Sequence, residues 1–376
     1  MSKVKNVLVT GGAGFIGSFT VDLLIERGYS VRILDNLEPQ VHGKAPEYLN
    51  PDAEFIQGDV QNRDHLENAV KDVDAIFHLA AAVGVGQSMY QIDKYVSVNT
   101  RSTATLLDIL VNKETDVKKL IVASSMSIYG EGKYECGKCG SVYPELRSEK
   151  QLKQKEWEPR CPTCGKSLQP RPTDEEKPLE PTSIYAMTKR HQEEMCLTIG
   201  KTYGIPTVAL RYFNVYGPRQ ALSNPYTGCC AIFSSRIMNG NPPYIFEDGM
   251  QTRDFVHVAD IAHANLLALE KNGGNYQALN VGTGKPTSIK KLAELLLRLF
   301  GSKLKPIILN EYRAGDIRHC YSDITRIEKN LGYKPTISIE KGLPSFVKWV
   351  KTQRNVLDQS EKAMKELKEK GLMSSR

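Results

Sequence analysis

No stretch of this chain approaches the ~20 consecutive apolar residues that a membrane-spanning helix needs, and its most apolar window, residues 292–300, is interrupted by Glu294 and Arg298. Nor does the start read as a secretory signal. Lys3 and Lys5 are followed by Val7-Leu8-Val9 and at once by Thr10-Gly11-Gly12, which breaks the apolar core too early. The expectation is a cytoplasmic protein with no membrane partner. Basic runs are missing as well: 50 Lys plus Arg against 43 Asp plus Glu leave a formal charge of +7, but the charges are interspersed, so no nucleic-acid partner is implied. No internal repeat is evident, and 40% hydrophobic with 25% charged residues excludes disordered, collagen-like and coiled-coil chains. Without a signal peptide, the eight cysteines are not expected to form disulfides.

What is present is a rhythm. From residue 4, short β-branched runs alternate with helical periodicity, Val7-Leu8-Val9, a helix to Arg27, then Val31-Arg32-Ile33-Leu34, the cadence of parallel βαβ units. Further strands read at 54–57, 75–78, 120–123 and 207–211, and helices at about 62–71, 91–112 and 184–203. The fold class predicted is α/β, a doubly wound parallel sheet with helices on both faces. After Arg211, prolines at 218, 225, 242 and 243 loosen the pattern into a smaller lobe, before a helix at 258–270 and a strand at 279–281 resume it. Helices at 288–300 and 340–352 follow. From Arg354 the chain is charged and helix-prone, apolar only at Val356, Leu357, Met364 and Leu367, and reads as a loosely attached tail.

Thr10-Gly11-Gly12-Ala13-Gly14-Phe15-Ile16-Gly17 lies directly after an apolar strand and before an amphipathic helix. Glycines there let the backbone turn tightly and approach a pyrophosphate, toward which the helix N-terminus points its N–H groups. Asp35 ends the second strand, 18 residues after Gly17, where a carboxylate accepts hydrogen bonds from ribose hydroxyls and repels a 2'-phosphate. NAD is favoured over NADP. Asp59-Val60, at the end of the third strand, is placed to border the adenine. Tyr185 and Lys189 stand four residues apart on one helical face and can meet one ligand, and the run Ser124-Ser125-Met126-Ser127 puts hydroxyls at the carboxyl edge of the sheet.

With TGGAGFIG at 10–17, HLAA at 78–81, SSMSIYG at 124–130, YAMTK at 185–189, LRYFNVYGPRQ at 210–220, RDFVHVAD at 253–260 and RAGDIRH at 313–319, the sequence resembles the extended short-chain dehydrogenase/reductase family, specifically its NAD-dependent nucleotide-sugar epimerases and dehydratases. The resemblance implies Ser125, Tyr185 and Lys189 as the catalytic trio. It implies an NAD site of Gly11, Gly14, Phe15, Ile16, Gly17, Asp35, Asn36, Asp59, Val60, Leu79, Ala80, Ala81, Asn99 and Phe213 beside Tyr185 and Lys189. For the nucleotide-sugar substrate it implies Ser125, Asn214, Arg253, Arg313, Asp316 and Arg318, the arginines suiting a diphosphate, though a surface ion pair serves Arg313 equally well. It also implies an NAD-binding Rossmann domain over 1–212, with 255–283 returning to it, a nucleotide-sugar lobe of 213–254 and 284–352, a tail of 353–376, and a homodimer joined through the helices at 91–112 and 184–203.

The chain departs from that family between Ser125 and Tyr185, 60 positions apart, where the extra length carries Cys136-Gly-Lys-Cys139 and Cys161-Pro-Thr-Cys164. Two CxxC pairs 21 residues apart have the spacing of facing zinc knuckles, a ribbon over 136–164. Four thiolates leave no open coordination position, so the zinc would be structural.

The resemblance also bears on the reaction. Relatives that eliminate water as 4,6-dehydratases carry Asp-Glu just after the catalytic hydroxyl, and the decarboxylating relatives a Glu at the second of these positions. Here those positions are Met126 and Ser127. What remains is oxidation and re-reduction at one carbon, 4-epimerisation through a 4-keto sugar. The segments 80–90, 221–228 and 246–255 resemble those of bacterial dTDP-L-rhamnose 4-epimerases, which form dTDP-6-deoxy-L-talose. UDP-glucose, UDP-glucuronate and UDP-N-acetylhexosamine 4-epimerases, a 4,6-dehydratase and a non-catalytic NAD-sensing protein are the alternatives.

Overall fold

A computed structural model describes residues 4–42 and 46–374. Seven parallel strands form the central sheet: β1 (Asn6–Thr10), β2 (Ser30–Asp35), β3 (Glu54–Gln57), β4 (Ala75–His78), β5 (Lys119–Ser125), β6 (Thr207–Tyr212) and β7 (Gln277–Val281). Their order is β7-β6-β5-β4-β1-β2-β3. The inner strands are buried along their lengths, β5 and β6 at every residue. Helices cover both faces, which is why these strands are continuous apolar runs instead of alternating ones. The chain winds outward from β1 to β3 and then crosses to β4, so the strand order reverses between β1 and β4. The crevice at the carboxyl ends of these two strands is where such a sheet binds ligands.

Local chemistry sets the helices that border this crevice. Helix α1 (Phe15–Glu26) starts at Gly14 with no side-chain cap, leaving its first N–H groups facing the crevice. Helix α3 (Ile184–Tyr203) is capped by Ser183, which accepts from the Ala186 N–H, and stopped by Gly204 at φ 69°. The helix expected at 91–112 is there, but with a π-turn over Val96–Arg101 that leads into α2 (Ser102–Asn112). That wider turn carries Asn99, fully buried. Helix α5 (Val258–Glu270) packs against α1 and β6.

A second apolar core lies beside the sheet, built by helices α4 (Cys229–Met238), α6 (Ile289–Phe300) and α7 (Ile339–Thr352), with Phe233, Leu292, Leu296, Leu343 and Phe346 at its centre. The segment between Ser125 and Tyr185 folds as a three-stranded antiparallel sheet of Lys133–Cys136, Gly140–Val142 and Gln169–Arg171. Each cysteine pair ends on a glycine in the left-handed region, Gly140 at φ 74° and Gly165 at φ 68°. A Cβ at either would meet nothing within 4 Å, so the requirement is conformational and not steric.

The tail corrects the reading of a loosely attached segment. Helix α8 (Ser360–Glu369) buries Ala363 and Leu367, and Glu366 accepts hydrogen bonds from the Tyr226 (2.6 Å) and Tyr90 (3.1 Å) hydroxyls. Beyond it, the Ala314 N–H donates to the Leu372 carbonyl at 2.9 Å. Ala363, Met364 and Leu367 make one narrow apolar stripe, enough to dock a helix that is otherwise charged.

His78, at the end of β4, is wholly buried between the Thr10 and Thr103 hydroxyls, 2.9 Å from each. Burial, and then the nearby Lys189, lower its pKa to about 3. The folded state therefore refuses a proton that the unfolded chain accepts near pH 6.5. This contribution to stability is complete above pH 6.5 and is lost as pH falls toward 3, at about 1.4 kcal/mol per unit. Urea titrations between pH 6 and pH 4 should give a shallower stability slope for His78→Asn than for the wild type, and equal slopes would show that the proton is taken up elsewhere.

Candidate active site and cysteine cluster

The nucleotide crevice is made by close approach of backbones. Gly11 has φ 71°, and a Cβ on it would lie 2.8 Å from the Ala80 nitrogen, while one on Gly17 would lie 2.1 Å from the Gly11 carbonyl oxygen. Only glycine fits both positions. Gly14 caps α1, and Phe15 and Ile16 form its first, half-buried residues. Asp35, at the end of β2, accepts from the Ala13 N–H at 3.0 Å and the Leu37 N–H at 2.9 Å. Asn36 donates to Asp59 at 3.2 Å, and Val60 is buried next to it. Residues 79–81 follow β4, with the Ala80 N–H on the Thr10 hydroxyl at 3.2 Å. Asn99 accepts from the Ala82 N–H (2.8 Å) and donates to the Ala82 carbonyl (3.1 Å) and the Thr188 hydroxyl (2.9 Å). Its amide is thus spent on tying this loop to α3.

Ser125 ends β5, and its oxygen accepts from the Ser127 N–H (3.1 Å) and hydroxyl (2.9 Å). Tyr185 lies in the first turn of α3, with its phenol facing the Ser125 hydroxyl. Burial pushes its phenol up to about 12, against the Ser125 hydroxyl, and brings Lys189 down to about 7. The Lys189 ammonium donates to the Ala123 carbonyl at 2.9 Å. Behind the trio, Glu193 accepts from Ser124 at 2.6 Å and pairs with the buried Arg211 at 2.6 Å, fixing α3 against the ends of β5 and β6. Phe213 follows β6, buried, its ring 6.4 Å from that of Tyr129.

A cleft of about 340 Å³ opens beside Ser127, Asn214, Arg253, Arg313 and Asp316. The Asn214 carboxamide oxygen is buried in it with no partner. Arg313 lies over the Phe246 ring at 4.5 Å and pairs with Asp316 at 2.8 Å. Arg253 donates to the Thr252, Ile317 and Arg318 carbonyls. Arg318 is placed otherwise. Its side chain is 1% exposed and binds Glu158 (2.6 Å), Glu247 (2.9 Å) and Asp248 (2.7 Å), behind the cleft wall and not in the cleft. Phe246 and Gln251, from the segment 246–255, also line the cleft, as do the tail residues Ala363, Met364 and Leu367, which no motif covers. The apolar stripe of the tail was the one available signal.

The sulfurs of Cys136, Cys139, Cys161 and Cys164 all lie within 4.8 Å of one another, and Cys136 is 3.5 Å from Cys164. A tetrahedral zinc about 2.3 Å from each sulfur needs sulfur separations of roughly 3.8 Å, so the four fit such an ion.

Among the described residues no helix is long and apolar enough to cross a membrane. Three similar proteins bear on the site. The chain is 34% identical over 350 residues to a dTDP-L-rhamnose 4-epimerase of Burkholderia thailandensis, covering 92% of this chain and 95% of that one. The crystal structure of a Thermotoga maritima UDP-glucose 4-epimerase with UDP-glucose superimposes with a TM-score of 0.75 at 32% identity, covering 92% of this chain and 98% of that one. A Thermus thermophilus UDP-glucose 4-epimerase in complex with NAD does so with a TM-score of 0.72 at 28% identity, covering 92% and 99%. With residues 7–148 and 161–282 matching its sequence pattern, the chain belongs to the NAD-dependent epimerase/dehydratase family.

Proposed function

We propose that dTDP-L-rhamnose is the substrate of this chain, an NAD-dependent nucleotide-sugar 4-epimerase. The observation that carries the reading is that Ser125, beside Tyr185, accepts from Ser127, which lines a cleft whose Asn214 oxygen is buried and unpartnered. The named relative from Burkholderia supports the sugar. UDP-glucose is the second reading, supported by the Thermotoga structure.

The glycine cradle at Gly11 and Gly17, the uncapped start of α1 and the Asp35 carboxylate fit a dinucleotide with a free 2'-hydroxyl. NAD held there supplies a hydride acceptor that later returns the hydride. Tyr185 takes the proton of the sugar 4-hydroxyl, and Ser125, relayed to Ser127, donates to the carbonyl oxygen that develops. Lys189 holds α3 to β5 through Ala123 and presents a cation one helical turn from Tyr185. Once the ketone has turned in the cleft, Tyr185 would give its proton back to the 4-oxygen as C4 is reduced from its other face. Met126 and Ser127 supply no acid or base for elimination across C5 and C6.

The four cysteines are read as one structural zinc site, and the chain as a homodimer. Ile92, Val96 and Met187, 49%, 41% and 42% exposed on helices that pack together, are the apolar surface that supports the homodimer. Light scattering at micromolar concentration should give twice the chain mass, and a monomer would refute the pairing.

Zinc analysis of protein prepared without chelator should find one ion per chain. Because structural sites bind zinc with about 10–16 kcal/mol in small peptides, Cys161→Ser should lower zinc content and Tm together. Unchanged zinc in that variant would sink the assignment.

In deuterium oxide, NMR should show dTDP-L-rhamnose converted to its C4 epimer with no solvent deuterium at C3 or C5, because only the C4 hydrogen leaves and returns. Tyr185→Phe should lower kcat by about 10²- to 10⁴-fold with NAD still bound. Turnover of UDP-glucose instead would move the assignment to the second reading, and a 4-keto-6-deoxy product would overturn both.

A further inference from the structure

The inserted cysteine segment does more than fold on itself. Residues 140–160 form a loop whose ends are drawn together by the cysteine cluster, and two of its side chains reach out of it. Arg147, with its side chain 2% exposed, makes a bidentate pair with Glu247, at 2.9 Å on both nitrogens, and also donates to the Asp316 carbonyl at 3.0 Å. Glu158 accepts from Arg318 at 2.6 Å and faces His319 at 3.0 Å. Glu247 and Arg318 bind each other at 2.9 Å. Thus the side chains run as a chain, Arg147–Glu247–Arg318–Glu158, with Asp248 also on Arg318 at 2.7 Å, and the insertion supplies both ends of it.

The partners are the backs of the cleft walls. Glu247 directly follows Phe246, the residue on which Arg313 lies, and holds a left-handed backbone, φ 53°. A buried non-glycine residue in that conformation persists only where its surroundings impose it, and here its side chain is gripped by Arg147 and Arg318. Arg318 and Asp316 belong to the strip 313–318, whose carbonyls Arg253 also binds. Removing Arg147 or Glu158 takes charge-assisted hydrogen bonds away from the buried Glu247 or Arg318 and weakens their hold.

Resting on the nucleotide-sugar reading of the cleft, we propose that Arg147 and Glu158 are positioning residues: through Glu247 and Arg318 they brace residues 246–253 and 313–318, so the folded cysteine module sets the affinity for the nucleoside diphosphate end of the substrate. The recognised chemistry is a diphosphate held by Arg253 and Arg313. The module would then be a component of substrate binding and not an appendage.

Glu158→Gln, at a side chain 52% exposed, should fold and keep its NAD and zinc. Its Kd for dTDP and UDP, by calorimetry, should rise on the order of tenfold to a hundredfold, with amide exchange accelerated in 246–253 and 313–318 but not in the glycine loop 10–17. Arg147→Met should act in the same direction, because Glu247 then loses its bidentate partner and keeps only Arg318. Unchanged exchange at both strips in the two single variants would overturn the brace. If wild-type protein binds neither dTDP nor UDP, the nucleotide reading fails, while exchange at the two strips still decides the brace.

Discussion

The contact on which the molecule depends is that between the loop after β1 and the loop after β4. At Gly11 a single methyl group would collide with the Ala80 backbone, and at Gly17 with the Gly11 carbonyl. These two absences let α1 begin directly over the point where the strand order reverses, with its N–H groups uncapped. Asn99 then holds the second loop in place by spending its whole amide on Ala82 and Thr188. The π-turn that carries Asn99 puts it there, and a regular helix over the same residues would rotate it away. The crevice is therefore a property of backbone packing, and its polar groups are left to the ligand.

The second lobe is held to this frame differently. Its own core is apolar, but its junction with the inserted module is ionic, through the buried Arg147, Glu247 and Arg318 and the half-exposed Glu158. Such a junction contributes little net stability compared with apolar packing of the same volume, yet it admits one arrangement, since any slip strands a charge. A cleft that must hold a sugar while its ketone turns needs walls of that kind more than it needs extra stability.

What could be read from the chain in advance divides by sequence distance. The glycine loop, Asp35, Tyr185 with Lys189 and the paired cysteines are local patterns, the glycines between a strand and a helix, Asp35 at a strand end, Tyr185 and Lys189 on one helix and the four sulfurs in one cluster. The seven strands were legible for the same reason, as apolar runs of strand length. Arg318 was not, because its carboxylate partners lie 70, 71 and 160 positions away, and one arginine reads alike whether it faces a phosphate or a buried glutamate. Asn99 was placed beside the cofactor, but nothing in the sequence betrayed the π-turn. The tail was misread because three apolar residues in a charged stretch are few by composition and enough by geometry.

The electrostatics of Tyr185 and Lys189 follow from the same burial that shapes the crevice. Desolvation raises the phenol and lowers the ammonium, so both groups are pushed toward their neutral forms, and the charge of whatever lies against them decides whether they ionise. A cation beside Tyr185 favours its phenolate, the state that removes a proton from a hydroxyl. A neutral neighbour favours the phenol, the state that returns one. Epimerisation through a ketone needs both states in alternation, at one residue, without solvent. A tyrosine fixed permanently as base by a strong ion pair would serve the first half of the reaction and oppose the second. On the role proposed for Tyr185, burial, with only the Ser125 hydroxyl acting against it, leaves the phenol free to follow the charge that the reaction itself moves.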